Sequence, residues 1–288
     1  MKPEQWRLIE DGLCDGRVNM ATDHAILQAV EDGMAPPTLR LYGWSAPTLT
    51  VGYSQQIGQD VDEARCRELG IPVVRRPTGG RAVLHHLEIS YCVVAPVNHP
   101  RFPPGLRGTF KVIANALTLC LDELGIPGEN DGRGRREAVA LWEPGTADSV
   151  KSGKHGKVNG ASSRSPACFA SFNRFEVAVG QKKLIGSAQR RTRRAFLQHG
   201  SALLDLDREL LNSLFRFKNI EERKSSLERL RQSAVSLNEA AGRKLSFAET
   251  LLAFRQGFCR SFGEAMEAGA LTPFEEKLAA TRCTTILK

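Results

Sequence analysis

Apolar residues first recur at helical spacing over 19–32, where Ala25, Ile26, Ala29 and Val30 share a face and Asn19 stands as a candidate cap. The period then shortens. "PTLRLYGW" and "PTLTVGYSQQ" read as two strands, each introduced by proline and punctuated by Gly43 or Gly52. "DVDEARCRELG" returns to a helix that Gly70 ends, and "IPVVRR" is a short β-branched strand. "RAVLHHLEISYCVVAP" supplies one or two further strands, with Ile89, Tyr91 and Val93 alternating and Pro96 closing the run. "TFKVIANALTLCLDELG" carries the clearest amphipathic stripe, through Phe110, Ile113, Leu117, Cys120, Leu121 and Leu124. Thr109 is its predicted cap and Gly125 its stop.

Residues 126–166 lose the pattern and turn to Gly, Ser, Lys, Arg and Glu, which is uncommon inside a compact domain and points to a mobile or functional segment. "RFEVAV-GQ-KKLIGSA" then reads as a hairpin turning at Gly180 and Gln181, and "AFLQHGSALLDLD" as another strand. After Asp207 the pattern is helical to the end. Two capping boxes lie there, Ser246 with Glu249 and Thr272 with Glu275, the second with Pro273 at the first helical position. The chain is therefore expected to be α+β: a mixed β-sheet core with flanking helices over 1–207, and a helical C-terminal segment over 208–288 packed on the same domain.

Composition adds limits. With 288 residues, 41% hydrophobic and 25% charged, the chain has enough apolar material for a sizeable core. No run is long and apolar enough for a membrane span, and "MKPEQWRLIEDG" contains no apolar signal core, so neither insertion nor export is expected. Seven cysteines without a CxxC pair suggest reduced thiols in the cytoplasm rather than a disulfide framework or a zinc site. The net charge of +8 favours acidic partners without selecting one.

Four stretches carry chemistry. "RRPTGGRAVLHH" leaves a strand, turns through Gly79 and Gly80 and re-enters a strand. The glycines let backbone approach a ligand, with Arg75, Arg76 and Arg81 adding positive charge; the same residues also describe a hairpin with a solvated basic rim. It is not a phosphate-binding loop of the G-x-x-x-x-G-K-[ST] kind. In "KKLIGSAQ", alternation sets Lys183, Ile185 and Ser187 on one face. Lys183 is then either a partly buried lysine of lowered pKa or a snorkelling lysine at a sheet edge.

Cys168 follows a proline at the end of the polar segment and has basic neighbours such as Arg164, whereas Cys92, Cys120 and Cys259 fit core positions. It reads as a nucleophile or as packing. "QRRTRR", from Gln189, suits phosphate contact or a solvated loop, and no aromatic stacking pattern supports nucleic-acid binding. His85 and His199 lack metal-ligand spacing and read as hydrogen-bonded within the fold.

"WRLIEDG", "PPTLRLYGW", "TLTVGYSQ", "RRPTGGRAVLH", "ACF", "KKLIGSAQ" and "LQHGSALLDLD" occur in that order. Together they resemble the octanoyltransferases of lipoate assembly, the LipM type, within the lipoate/biotin protein ligase superfamily. The resemblance runs from Trp6 to Asp207 and more loosely through the tail. It implies a lipoate/biotin protein ligase-like fold. It also implies transfer of an octanoyl group from octanoyl-acyl carrier protein, through a cysteine thioester, to a lysine of a lipoyl carrier domain such as glycine cleavage H protein.

On that resemblance Cys168 matches the nucleophile and Lys183 the lysine beside the acyl carbonyl. Arg76, Thr78, Gly79, Gly80 and His85 match the loop lining the acyl pocket, with Gly186 and Ser187 beside it. No cofactor or metal is implied. His86 stands where the family often has an acid, which changes the charge beside His85. The competing readings are an ATP-dependent lipoate ligase, an amidotransferase between lipoyl domains and, from another class, a nucleic-acid-binding module built on "QRRTRR".

Overall fold

The computed structural model describes residues 5–126, 177–179, 182–263 and 266–285. Strand β1 (Arg7–Cys14) leads into helix α1 (Gly16–Glu31), then β2 (Thr38–Trp44) and β3 (Thr48–Val51). Two short helices, α2 (Ile57–Asp60) and α3 (Glu63–Glu68), precede β4 (Val73–Arg75), β5 (Val83–His85) and β6 (Glu88–Pro96). Helix α4 (Gly105–Glu123) is followed by the described strands β7 (Val177–Val179), β8 (Lys182–Arg191) and β9 (Ala195–Leu203). The tail holds α5 (Arg208–Ser213), α6 (Ile220–Ser233), α7 (Leu237–Ala241), α8 (Phe247–Phe262), β10 (Glu267–Ala268) and α9 (Pro273–Thr285).

The strands form a mixed sheet in the order β10-β1-β2-β6-β9-β8-β7 and a second, smaller sheet in the order β4-β3-β5. Alternation feeds two cores from one sheet. Leu39, Leu41, Ile89, Tyr91 and Val93 face α4 and α8, joining Ile113, Leu117, Phe254 and Phe258. Tyr42, Trp44, Cys92, Val94 and Leu197 point the other way, onto Met20, Ile26 and Val30 of α1. Because both faces are covered, β2 is buried along its whole length. The small sheet packs Leu49, Val51 and Val83 against Cys66 of α3, Leu211 of α5 and Leu230 of α6.

Several elements depart from the sequence pattern. The cap of α1 is Asp15, whose side chain accepts from Arg17 N at 2.8 Å. Asn19 lies a turn inside, buried, and donates to Gly43 O at 3.0 Å. Helix α4 begins four residues before Thr109, after Pro104; Thr109 spends its hydroxyl on Gly105 O at 3.1 Å. The tail is not wholly helical: β10 adds a parallel edge strand to β1, pairing Arg7 with Glu267.

Thr272 and Glu275 form the reciprocal capping box, whereas at α8 Ser246 caps through Glu249 N while the Glu249 carboxylate turns to Arg243 at 2.6 Å. The hairpin of β7 and β8 is present, with Val179 paired to Lys182; its two turn residues lie outside the described residues. The patternless 126–166 segment also lies outside them after Ile126.

Candidate active site

The twin-glycine turn joins β4 to β5 at the seam between the two sheets. Main-chain bonds set its course: Arg76 N donates to Val51 O at 3.0 Å and Tyr53 N to Thr78 O at 2.8 Å. Gly80 has φ +97°, a conformation that favours glycine. A Cβ on Gly52 would fall 2.0 Å from Gly80 O, so the two backbones touch because Gly52 carries no side chain.

The flanking arginines hold the turn from within. Arg76, buried, donates to Gly79 O at 2.8 Å, Arg81 O at 2.8 Å and Thr50 Oγ1 at 3.2 Å. Arg75 donates to the carbonyls of Gly52, Tyr53 and Gln55 at 2.7, 2.9 and 3.0 Å. Two charges that the sequence offers to a ligand thus shape the loop itself.

Beneath the turn lies a cavity of about 440 Å³, within the usual range for small-molecule sites. Gly79 and Gly80 with Leu106 and Arg107 form its exposed mouth, and buried Met20, Tyr42 and Ser90 lie deeper. Met20, Val83, Leu106 and Phe110 supply apolar wall. Arg76, Gly79, Gly80, His85, Gly186 and Ser187 all line this one space. Thr78 sits one hydrogen bond behind the lining, on His199. Lys183 is wholly buried in β8, three residues before Gly186, and is not among the described lining residues; the sequence pattern had left it at most partly buried. Cys168 lies outside the described residues.

Two buried polar clusters underlie the cavity. In the first, Glu88 Oε1 accepts from Ser90 Oγ at 2.6 Å and from His85 Nδ1 at 2.9 Å. His85 Nε2 meets Thr50 Oγ1 at 2.7 Å, and its ring stacks on Trp44 with centroids 4.0 Å apart. Burial raises the Glu88 pKa, but neighbouring His85 and the Ser90 and Ser201 hydroxyls outweigh it, leaving the carboxyl below its usual range.

In the second cluster, Asp23 accepts from Arg40 Nη1 at 2.7 Å, Tyr42 Oη at 2.9 Å and His199 Nδ1 at 2.8 Å. Burial opposes the Asp23 charge, yet the bond from His199 and the Arg40 guanidinium hold it low. Burial dominates at His199 and depresses its pKa, so the imidazole stays neutral. His85 and His199 are hydrogen-bonded, as their spacing suggested, and both also line the cavity.

Sequence reasoning passed over Asp23, Arg40, Tyr42, Glu88, Ser90 and Ser201. The signal was a polar residue on a stripe that must be buried. Arg40 interrupts apolar "TLRLYGW", Glu88 and Ser90 share one strand face, and Asp23 is in helical register with Ile26 and Val30. Such groups need partners when buried, and the partners come from distant segments. Among the described residues no group of three or more His, Cys, Asp or Glu side chains could hold a metal ion, and no helix is long and apolar enough to cross a membrane.

Residues 15–259 match the model of the lipoyl protein ligase A/B catalytic domain. The chain belongs to this family. Within the lipoyl protein ligase A/B family its relatives include an octanoyltransferase LipM from Kyrpidia tusciae, 38% identical over 276 residues, 96% of this chain and 94% of that one. An octanoyltransferase LipM from Symbiobacterium thermophilum is 39% identical over 276 residues, 96% of this chain and 93% of that one. A chain from the structure of a bipartite lipoate protein ligase and its E2 lipoyl domain from Thermoplasma acidophilum matches with a TM-score of 0.72. That match covers 99% of this chain and 93% of the other at 21% identity, which shows the family fold: α+β, a mixed sheet with flanking helices. The resemblance read from the motifs is thereby confirmed.

Proposed function

We propose that the protein transfers an octanoyl group from octanoyl-acyl carrier protein to a lysine of a lipoyl carrier domain, such as glycine cleavage H protein, through a thioester on Cys168. The observation that carries this reading is the convergence of the twin-glycine turn and the Gly186–Ser187 segment on one partly apolar cavity of about 440 Å³, in a chain more than a third identical to LipM octanoyltransferases. Val83, Phe110 and Met20 offer a hydrocarbon chain an apolar wall, while Gly79 and Gly80 admit its thioester end through the mouth. The catalytic region is residues 1–207, and 208–288 is a mostly helical extension that packs on it through α8 and adds β10 to its sheet.

The chemistry divides one acyl transfer into two. The Cys168 thiolate adds to the thioester carbonyl, and the tetrahedral adduct collapses by expelling the carrier thiolate, which takes up a proton. The neutral lysine amine of the lipoyl domain then adds to the enzyme thioester, loses a proton and expels Cys168 as thiolate. Thioester exchange is nearly balanced, and amide formation draws the sequence forward. Lys183 donates a hydrogen bond to the developing oxyanion or holds the thiolate by its charge. Its place in β8, three residues before the cavity-lining Gly186, supports that role. Arg76, Thr78 and His85 shape the acyl-binding side. The donor arrives activated, so neither half-reaction calls for ATP. The partners are two carrier proteins, with no nucleic acid or membrane, and the compartment is the cytoplasm.

The test is intact-mass spectrometry after incubation with octanoyl-acyl carrier protein. The wild-type enzyme gains one octanoyl group and loses it to added lipoyl domain, and Cys168→Ser gains none. An adduct of equal yield on Cys168→Ser removes the nucleophile assignment. Acylation of the lipoyl domain that requires ATP and free octanoate, with no enzyme adduct, replaces the reading with a ligase.

A further inference from the structure

We propose that His199 and Asp23 are positioning residues for acyl transfer: a hydrogen-bonded chain from α1 through β9 to Thr78 pins the twin-glycine turn to the large sheet and sets the width of the acyl cavity. The inference rests on the function proposed above; it adds Asp23, which no motif contains, and gives His199 of "LQHGSALLDLD" a role that the resemblance does not. The cavity lies between walls of separate origin. Gly79 and Gly80 belong to the loop of the small sheet, and Gly186, His199 and Gly200 belong to β8 and β9 of the large one. The hydroxyl of Thr78, next to Gly79, crosses that seam to His199 Nε2 at 2.6 Å. His199 Nδ1 reaches Asp23 Oδ2 at 2.8 Å. Asp23 is fixed in turn by Tyr42 Oη and Arg40 Nη1, and Arg40 also holds Asn19 Oδ1 at 2.8 Å and Asp11 at 2.6 Å.

The bonds dictate one proton arrangement. Asp23, receiving from Arg40 and Tyr42, accepts the Nδ1–H of His199. Nε2 then carries the lone pair and accepts the Thr78 O–H. Thr78 O is already occupied by Tyr53 N, so the side chain is what this residue contributes to the crossing. Arg190 Nη1 also ties the turn to β8, donating to Pro77 O at 3.1 Å, while His85 Nδ1 and Ser201 Oγ, 3.1 Å apart, join the two sheets beyond the turn. Thr78, His199 and Asp23 are all at least nine-tenths buried, so water does not replace the chain when it is cut. The loop is small beside the two cores. Loss of the pin therefore changes where Gly79 and Gly80 stand more than whether the protein folds, and small misplacements of a binding wall cost rate.

The experiment follows enzyme octanoylation from octanoyl-acyl carrier protein over time, with thermal melts alongside. Thr78→Val lowers kcat/KM by about tenfold, with the fold retained and the melting midpoint lowered by only a few degrees. Thr78→Ser, which keeps the hydroxyl and drops the methyl, recovers most of that loss. A packing role predicts the reverse order, with valine near wild type and serine impaired, and that order overturns the proposal. His199→Gln loses a similar factor, and combining it with Thr78→Val adds little, because both cut one chain. Multiplying losses overturn it as well. Should Thr78→Val fail to fold, His199→Gln decides alone, and a wild-type kcat/KM sinks the pin. Wild-type enzyme that never acquires the octanoyl group counts against the proposed function itself, whereas normal wild-type loading with unimpaired variants counts against the positioning chain only.

Discussion

Gly79 and Gly80 are interchangeable letters in the motif and different residues in the fold. Gly80 sits at φ +97°, and a Cβ there would stand 2.7 Å from Arg76 Nη2, the group that clamps the carbonyls of Gly79 and Arg81. Gly79 has ordinary φ and open space around its Cα. Gly80→Ala is therefore expected to cost about 1–3 kcal/mol of stability in urea titration and to depress octanoyl loading further by displacing Arg76. Gly79→Ala is expected to cost clearly less stability. Equal urea midpoints for the two variants would remove the strain argument. The buried acids and Arg40 show the same dependence on surroundings: each is conspicuous in the sequence for being charged among apolar neighbours, yet its role appears only with its partner.

Among elements, one side chain links α9 to β1, beside the pairing of β10 with β1. Glu275 completes the capping box of α9 and also takes both arms of Arg7 from β1, at 2.7 and 2.6 Å, with the pair buried. Burial alone would raise the Glu275 pKa, but the Arg7 hydrogen bonds and the Thr272 N–H outweigh it and hold it below the usual carboxylate range. A carboxyl whose folded pKa lies below its unfolded value, about 4.3, contributes its full stabilisation above that pH. The contribution is lost as pH falls through the lower, folded value. Glu275→Gln, which leaves Arg7 without a countercharge, should destabilise the protein by about 3 kcal/mol at neutral pH and flatten the acid side of its stability profile. An unchanged urea midpoint at neutral pH, with the acid limb intact, would show that the ion pair contributes nothing.

At the scale of the molecule, the net charge of +8 and the arginine at the cavity mouth favour an acidic carrier. Octanoyl loading should slow several-fold between about 0.01 M and 0.1 M salt, as the screening length contracts from about 30 Å to about 10 Å. A rate indifferent to salt over that range would exclude electrostatic steering. The helices and strands that bear the cavity were legible in the sequence because period and turn residues are local: β2, β3, the strands on either side of the twin-glycine turn, β8, β9 and the stripe of α4 all follow from spacing alone, whereas the hairpin that the two glycines suggested is not formed, since β3 lies between β4 and β5. The resemblance also named Arg76, Gly79, Gly80, His85, Gly186 and Ser187 of the cavity lining before any coordinates, but not Met20, Tyr42, Ser90 or Ser201. What periodicity left undecided is what two distant segments settle together. Asp15 displaces Asn19 as cap because Asn19 is needed by Gly43 and Arg40, and β10 forms because an edge of β1 is there to receive it. Thr78 meets His199 across 121 positions of chain only when two sheets close on each other. Local spacing settled the elements and the motif, since neighbours in sequence share one backbone conformation; tertiary packing alone chose the partners of buried polar groups, since their cost is set by whatever the fold brings within hydrogen-bonding reach.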